Sequence, residues 1–269
     1  MTDSNGFAIG LNVTSGTGPT VTYSRVSNPE YMAIAFKSSA GNFTPPTHQY
    51  SIVNFSVAAF GSCGTCTVTI PTTGANHLLY IESADEVFSH ITTVSGAGSW
   101  TIPSGSNTCQ IQFNIMGQNN AASCAYNLSS TVGATSLTIT MSGNGATNFA
   151  IWEIAATSGN FAFDTQSSYV NTSTPNLWYP AGSSLTLNYS NDVVFQFAWA
   201  VGGSLGPSYF GQPYINAVGT IIGPFNYFLQ NEAAVTVLLD SGPNPPTPIW
   251  INDNPNNAMF FSGVAFAAQ

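Results

Sequence analysis

The sequence predicts an all-β protein, an antiparallel β-sandwich of jelly-roll-like kind, and three observations carry that expectation. Helical periodicity is nearly absent along the 269 residues. Short alternating or solid apolar runs rich in Val, Ile, Thr, Phe and Tyr recur instead, each bounded by Gly, Pro, Asn or Ser, as strands between turns are. Bulk for a sizeable core is supplied by 18 Phe, 11 Tyr and 5 Trp, so the Gly- and Ser-rich look does not signal disorder.

Taken in order, strands are expected near 7–13 (Phe7-Ala-Ile-Gly-Leu11), 20–25 (Val21-Thr-Tyr-Ser24) and 31–37 (Tyr31-Met-Ala-Ile-Ala-Phe36). Residues 38–47 read as a linker because Gly41 and Pro45-Pro46 break any pattern. Strands 50–59 and 65–70 follow, the second carrying Cys66-Thr-Val-Thr-Ile70. Next come 77–83, an apolar run entered from the polar turn Asn76-His77, and 90–95, built on Ile91-Thr-Thr-Val94. Strands 109–116 and 123–128 each hold one cysteine. Alternation is clear in 136–141, where Leu137, Ile139 and Met141 share one face. Strand 148–156 is nearly solid apolar, broken by Glu153. After 161–170 and 184–189, strand 192–201 lines Phe195, Phe197 and Trp199 on one face against Gln196 and Ala198. The remaining strands are 213–221, 225–230, 233–239 (Val235-Thr-Val-Leu-Leu239), 249–251 and 259–267.

A divergent repeat underlies this order: a Thr-rich alternating strand, a polar turn, then an apolar strand ending in aromatic or aliphatic residues. Val21–Phe36, Leu137–Ile154 and Val235–Phe266 are its three copies. The chain therefore divides into 1–47, N-terminal strands like the closing part of a unit plus linker, and two β half-modules, 48–156 and 157–269.

The motifs Cys66-Thr-Val-Thr-Ile-Pro71, Leu78-Leu-Tyr-Ile81, Ile91-Thr-Thr-Val94 with Gly98-Ser-Trp100, Tyr126-Asn-Leu128, Ile151-Trp-Glu-Ile154 and Gly263-Val-Ala-Phe266 lie over residues 50–269. Together this pattern resembles β-sandwich modules, often in tandem, of large secreted or surface proteins of environmental bacteria, also seen in some phage structural proteins. The loop after Val94 departs from the usual Asp-Ser-x-Gly-Asn form and reads Ser95-Gly-Ala-Gly98. The resemblance implies a sandwich fold and a role outside the cytoplasm.

Charge narrows the function classes. Arg25 and Lys37 are the only basic residues against eleven acidic ones, and charged residues make up 5% against about 25% in ordinary soluble domains. Phosphate binding needs clustered Lys or Arg, so nucleic acid is excluded as a partner, as is electrostatic docking on anionic lipid. The longest apolar stretches, such as Val193–Val201, are strand-sized and too short for a membrane helix. The opening Met-Thr-Asp-Ser-Asn-Gly has neither a basic nor an apolar region and does not read as a signal peptide. Cys63, Cys66, Cys109 and Cys124 fit an oxidising compartment, with a Cys109–Cys124 disulfide the favoured pairing and Cys63-x-x-Cys66 leading into a strand rather than a redox helix.

No catalytic, cofactor-binding or metal-binding set emerges. Glu82, Asp85 and Glu86 are the one acidic cluster, read as a solvated loop rather than a calcium site. Glu153 is expected on the solvent side of its sheet or in a groove, and glycosidase chemistry would need a partner such as Asp164 or Asp240 across a cleft. His48, His77 and His90 form neither a His-x-His nor a His-Glu-x-x-His pattern, no Gly-x-Ser-x-Gly elbow is present, and a Ser-His-Asp triad is a matter of the fold rather than of spacing. Six Asn-x-Ser/Thr sequons (Asn12, Asn42, Asn54, Asn127, Asn171, Asn188) matter only in a glycosylating source. The candidate contact residues are aromatic: Trp178, Tyr179, Tyr209, Phe210, Tyr214 and Trp250, in Pro-rich segments where flat rings beside Asn and Gln suit sugar stacking or protein contacts. The expected function is a non-catalytic structural subunit of an extracellular, cell-surface or virion assembly, a homo-oligomer or polymer (ring or filament) formed by β-strand pairing. The alternative is a carbohydrate-binding or adhesive module with polysaccharide as partner.

Overall fold

Two antiparallel sheets share one aromatic core. The computed structural model describes residues 49–85, 87–115, 118–171, 178–180, 185–189, 191–201, 220–221, 233–241, 249–251 and 258–269, all of them within the compact unit Pro46–Gln269. The expected strands near 7–13, 20–25, 31–37 and 225–230 lie outside the described residues. No helix appears among the described residues, and none is long and apolar enough to cross a membrane.

The first sheet uses β1 (Tyr50–Thr69), β2 (Leu78–Asp85), β3 (Ile91–Ser95), β4 (Ile111–Ile115), β5 (Gln118–Asn127) and β6 (Ser136–Ala156). Its order is β1-β6-β2-β5-β4, with β3 also on β6. The second sheet follows the turn 157–160 and uses β7 (Phe161–Asn171), β9 (Asp192–Val201), β10 (Thr220–Ile221), β11 (Ala233–Ser241) and β13 (Ala258–Ala268), ordered β10-β11-β9-β13-β7. A separate ribbon pairs β8 (Trp178–Pro180) with β12 (Ile249–Ile251). The architecture is thus all-β and antiparallel throughout.

Alternation along the central strands sorts their residues between two cores. On β2, Leu78 and Tyr80 face the second sheet, while Leu79 and Ile81 face the other way, and all eight strand residues are buried. Tyr80 stacks on Phe195 of β9 with ring centroids 4.1 Å apart, and Trp152 of β6 meets Phe195 edge-on at 5.5 Å. Tyr126 of β5 packs against Phe266 of β13 and Phe163 of β7. Each such buried ring contributes about 1.5–3 kcal/mol of transfer free energy, and this seam joins the sheets. On the opposite face, Leu79, Ile81, Phe149 and Ile151 are covered by Val68, Ile91, Leu137 and Ile139 from the far halves of β1 and β6 and from β3.

Those long strands correct the expected boundaries. Segments 50–59 and 65–70 are one strand, as are 136–141 and 148–156, because Gly61, Gly64, Gly143 and Gly145 sit at bends inside the β1–β6 pair rather than in turns. The register shifts between Phe60, Cys63 and Thr65 mark the bend, where an extra residue on β1 and then extra residues on β6 are absorbed. Residues 185–189, expected as a strand, run instead as irregular chain over the outer face of the second sheet, where Leu185 and Leu187 bury with Val194, Leu238 and Ala265. Gly263 makes room for this cover: a Cβ there would lie 2.6 Å from Leu185 Cδ1.

Candidate functional site

The acidic residues are the first places to look for chemistry, and the fold assigns most of those described to structure. Glu153 lies on the outer face of β6 and is buried, not on the solvent side, because the 70–77 segment crosses it. Its Oε1 accepts from the Gly74 backbone N–H at 2.7 Å and from His77 Nδ1 at 2.6 Å, and its Oε2 accepts from Asn54 Nδ2. Gly74 lies flush on the imidazole, where a Cβ would come 2.2 Å from His77 Cε1. The carboxyl thus pins the crossing segment to β1 and β6, with both oxygens accepting hydrogen bonds from within the fold.

Glu82 and Asp85 overturn the expectation of a solvated acidic loop. Both belong to β2 and are fully buried, since the strand is the centre of its sheet; Glu86 lies outside the described residues. Glu82 faces the second sheet between Cys124 of β5 and Ala150 of β6 and accepts the Tyr80 hydroxyl. Burial pushes its pKa well above the usual carboxyl range, outweighing the downward pull of the Tyr80 hydrogen bond. Asp85 accepts from the Val87 N–H at 2.8 Å and from the Thr147 hydroxyl, closing the turn after β2.

A third carboxyl site lies on the outer face of the second sheet. Asp192 opens β9 and is fully buried. Asp164 sits at the bulge of β7, where the register with β13 shifts, and accepts from the Asn188 N–H at 2.9 Å and Asn188 Nδ2 at 2.6 Å. Burial first, then the hydrogen bond and charge of Asp164, push the Asp192 pKa up to about 8. Asp164 is therefore tied to the covering segment beside Asp192, whose two carboxyl oxygens are buried without a hydrogen-bond donor, and does not face Glu153, which is on the other sheet. The Asp240 side chain lies outside the described residues. Among the described residues no group of three or more His, Cys, Asp or Glu side chains is placed to hold a metal ion.

Cys109 and Cys124 stand with Cα atoms 5.6 Å apart, and Cys63 and Cys66 with theirs 5.7 Å apart, both within bridging range. The Ser95–Gly98 loop is fixed from outside: Asn127 Nδ2 and the Thr131 N–H both donate to Ala97 O. Asn127 is buried in that contact, so its sequon is closed to modification in the folded protein.

Of the aromatic candidates, Trp178, Tyr179 and Trp250 fall on the β8–β12 ribbon, while Tyr209, Phe210 and Tyr214 lie outside the described residues. Tyr179 stands directly opposite Trp250, and Trp178 opposite Ile251.

Sequence reasoning missed the burial of Glu82, Glu153 and Asp192. Glu153 sits inside an apolar run (Phe149–Ile154), Glu82 directly follows one (Leu78–Ile81) and Asp192 directly precedes one (Val193–Phe195), and such a run marks a strand covered on both faces.

The chain matches no protein family and no curated protein. Two solved structures are similar to it. One is the atomic structure of Sulfolobus turreted icosahedral virus, at 9% identity and a TM-score of 0.28, covering 81% of this chain and 91% of that one. The other is the crystal structure of the STIV MCP, at 9% identity and a TM-score of 0.23, covering 79% and 96%. Both scores are low, and the functional reading that follows rests on this chain's own residues.

Proposed function

We propose that this protein is a non-catalytic structural subunit of an extracellular or virion assembly and acts by self-association through β-strand pairing. One observation carries the reading. Among the described residues β1 has a strand on one side only, yet it is twenty residues long and contains no charged residue. Edge strands are ordinarily blunted by Lys, Pro or brevity, because unpaired N–H and C=O groups invite another strand. Another edge follows that rule: β7 carries Asp164 and a bulge. Four cysteines in bridging pairs and a nearly charge-free surface suit an oxidising, variable-salt setting outside the cell. Asp85, Glu153 and Asp164 serve as internal ties within the fold. Sedimentation velocity with negative-stain microscopy tests the reading. Concentration-dependent oligomers, rings or filaments are expected, and a monomer at every concentration overturns it.

A second reading draws on the β8–β12 ribbon, whose backbone pairs position 179 with position 250 in segments rich in the aromatic residues that sugars stack on. In that case the protein sediments with insoluble polysaccharide as a monomer and Trp250→Ala abolishes the pull-down with an unchanged melt. Equal recovery of both proteins rules it out.

A further inference from the structure

We propose that Asp164 and Asp192 together hold a calcium ion on the outer face of the second sheet, between β7 and β9.

The fold brings the pair together across one strand. β13 runs between β7 and β9, and in its ladders Ala267 stands opposite Asp192 on one side and Ala162 on the other. Asp164 falls in the bulge of β7, where the register steps from Phe163 opposite Phe266 to Thr165 opposite Ala265. The alternation that puts Val194 and Ala265 under the 185–189 cover puts Asp192 and Ala267 on that same face, and Asn188 of the cover reaches Asp164. Between the two carboxyls β13 therefore presents small side chains, those of Ala265 and Ala267.

The two carboxyls are in different states of need. Asp164 is half-buried and already oriented: Asn188 donates its backbone N–H to one oxygen at 2.9 Å and its side-chain N–H to the other at 2.6 Å, which leaves each oxygen a lone pair. Asp192 is fully buried, and neither of its oxygens accepts a hydrogen bond among the described residues. A buried carboxylate in that condition beside a second one is costly unless a positive charge joins it. Side chains of this unit do not bring one: residues 46–269 contain no Lys or Arg, and His77 and His90 are engaged on the first sheet with Glu153 and Ser142.

The donor set selects the ion. Carboxylate oxygens without thiolate or imidazole suit a hard cation. Calcium takes an irregular shell of six to eight oxygens and completes it with water and carbonyl groups, whereas magnesium demands a near-regular octahedron. Two carboxylates place the affinity at the weak end of the calcium range, about 0.1–1 mM, as in extracellular modules. In the cation-free protein Asp192 relieves the same repulsion by keeping its proton, so calcium and that proton compete. A bound ion would tie β7, β9 and the cover of the second sheet together.

Isothermal titration of the full-length protein, stripped with EDTA, is the test. Calcium chloride is expected to bind one ion per chain with a Kd of about 0.1–1 mM, and at ten times that Kd to raise the folded-to-unfolded ratio about elevenfold in urea unfolding. Asp164→Asn and Asp192→Asn should each weaken binding at least about tenfold, while Glu82→Gln, which removes a carboxyl between the sheets, leaves it as in wild type. Sodium chloride at equal ionic strength should not reproduce the stabilisation. Circular dichroism checks each variant. Should either Asn variant fail to fold, hydrogen exchange on wild type locates the ion: calcium-induced protection in peptides covering 161–171 and 185–199 supports the site, and protection elsewhere alone overturns it. Wild type without saturable binding up to about 10 mM calcium overturns the proposal. Binding of equal strength in wild type and both Asn variants also overturns it, and magnesium binding as tightly as calcium overturns the choice of ion.

Discussion

Replacing Asp192 with Asn should convert a pH-sensitive fold into a less sensitive one. Asp192 is fully buried at the start of β9 beside Asp164, with its pKa pushed up to about 8. In an unfolded chain an aspartate titrates near about 3.9. Between those values the native state keeps a proton that the unfolded chain has released, so folding takes up a proton and stability declines as pH rises. The contribution is fully present below about pH 4 and is lost through about pH 8, with a slope approaching about 1.4 kcal/mol per pH unit. From pH 5 to pH 7 that amounts to about 2–3 kcal/mol, a large share of the about 5–15 kcal/mol that holds a domain folded. Asn fills the same volume, cannot ionise, and can donate to Asp164. Urea unfolding at pH 5, 6 and 7 for both proteins reads the effect. The stability of wild type minus that of Asp192→Asn should fall steadily across the series, with the variant the more stable at the alkaline end. Parallel curves would refute a protonated, buried Asp192. Glu82, whose pKa burial also raises, acts in the same direction in both proteins and cancels in the difference.

Three further outcomes are expected. Glu153→Ala orphans the Gly74 N–H, His77 Nδ1 and Asn54 Nδ2 at once and should cost about 3–5 kcal/mol by chemical denaturation, with Gln recovering part of it; a loss under about 1 kcal/mol would show that the crossing segment is held by other contacts. Protein purified without reductant should show no free thiols by mass spectrometry, and Cys109→Ser with Cys124→Ser should lower stability by about 3 kcal/mol, the value for a loop of that size; four alkylatable cysteines would contradict it. The melting temperature should move by no more than a few degrees between low and moderate salt, since opposite charges are nearly absent; a large shift would reveal electrostatic contacts the fold does not show.

The all-β class was legible because it is written locally. Period-two alternation in Leu137–Met141 and Val235–Leu239, with Gly and Asn between runs, requires no knowledge of what lies across the sheet. The approximate places of β2, β3, β9, β11 and β13 follow from the same signal. Tertiary structure decided everything that depends on what covers a residue. Gly61 and Gly145 read alike as turn signals, yet the β1–β6 pairing carries both strands on through them as bends. Glu82 and Glu153 look like ordinary strand carboxylates, and only the packing of the second sheet over one and of the 70–77 segment over the other buries them. Asp164 and Asp192 are far apart in sequence and meet because both flank β13 under the 185–189 cover. The free edge of β1 is of the same kind: its lack of charge is a property of the sequence, and its lack of a second neighbour among the described residues is a property of strand order alone.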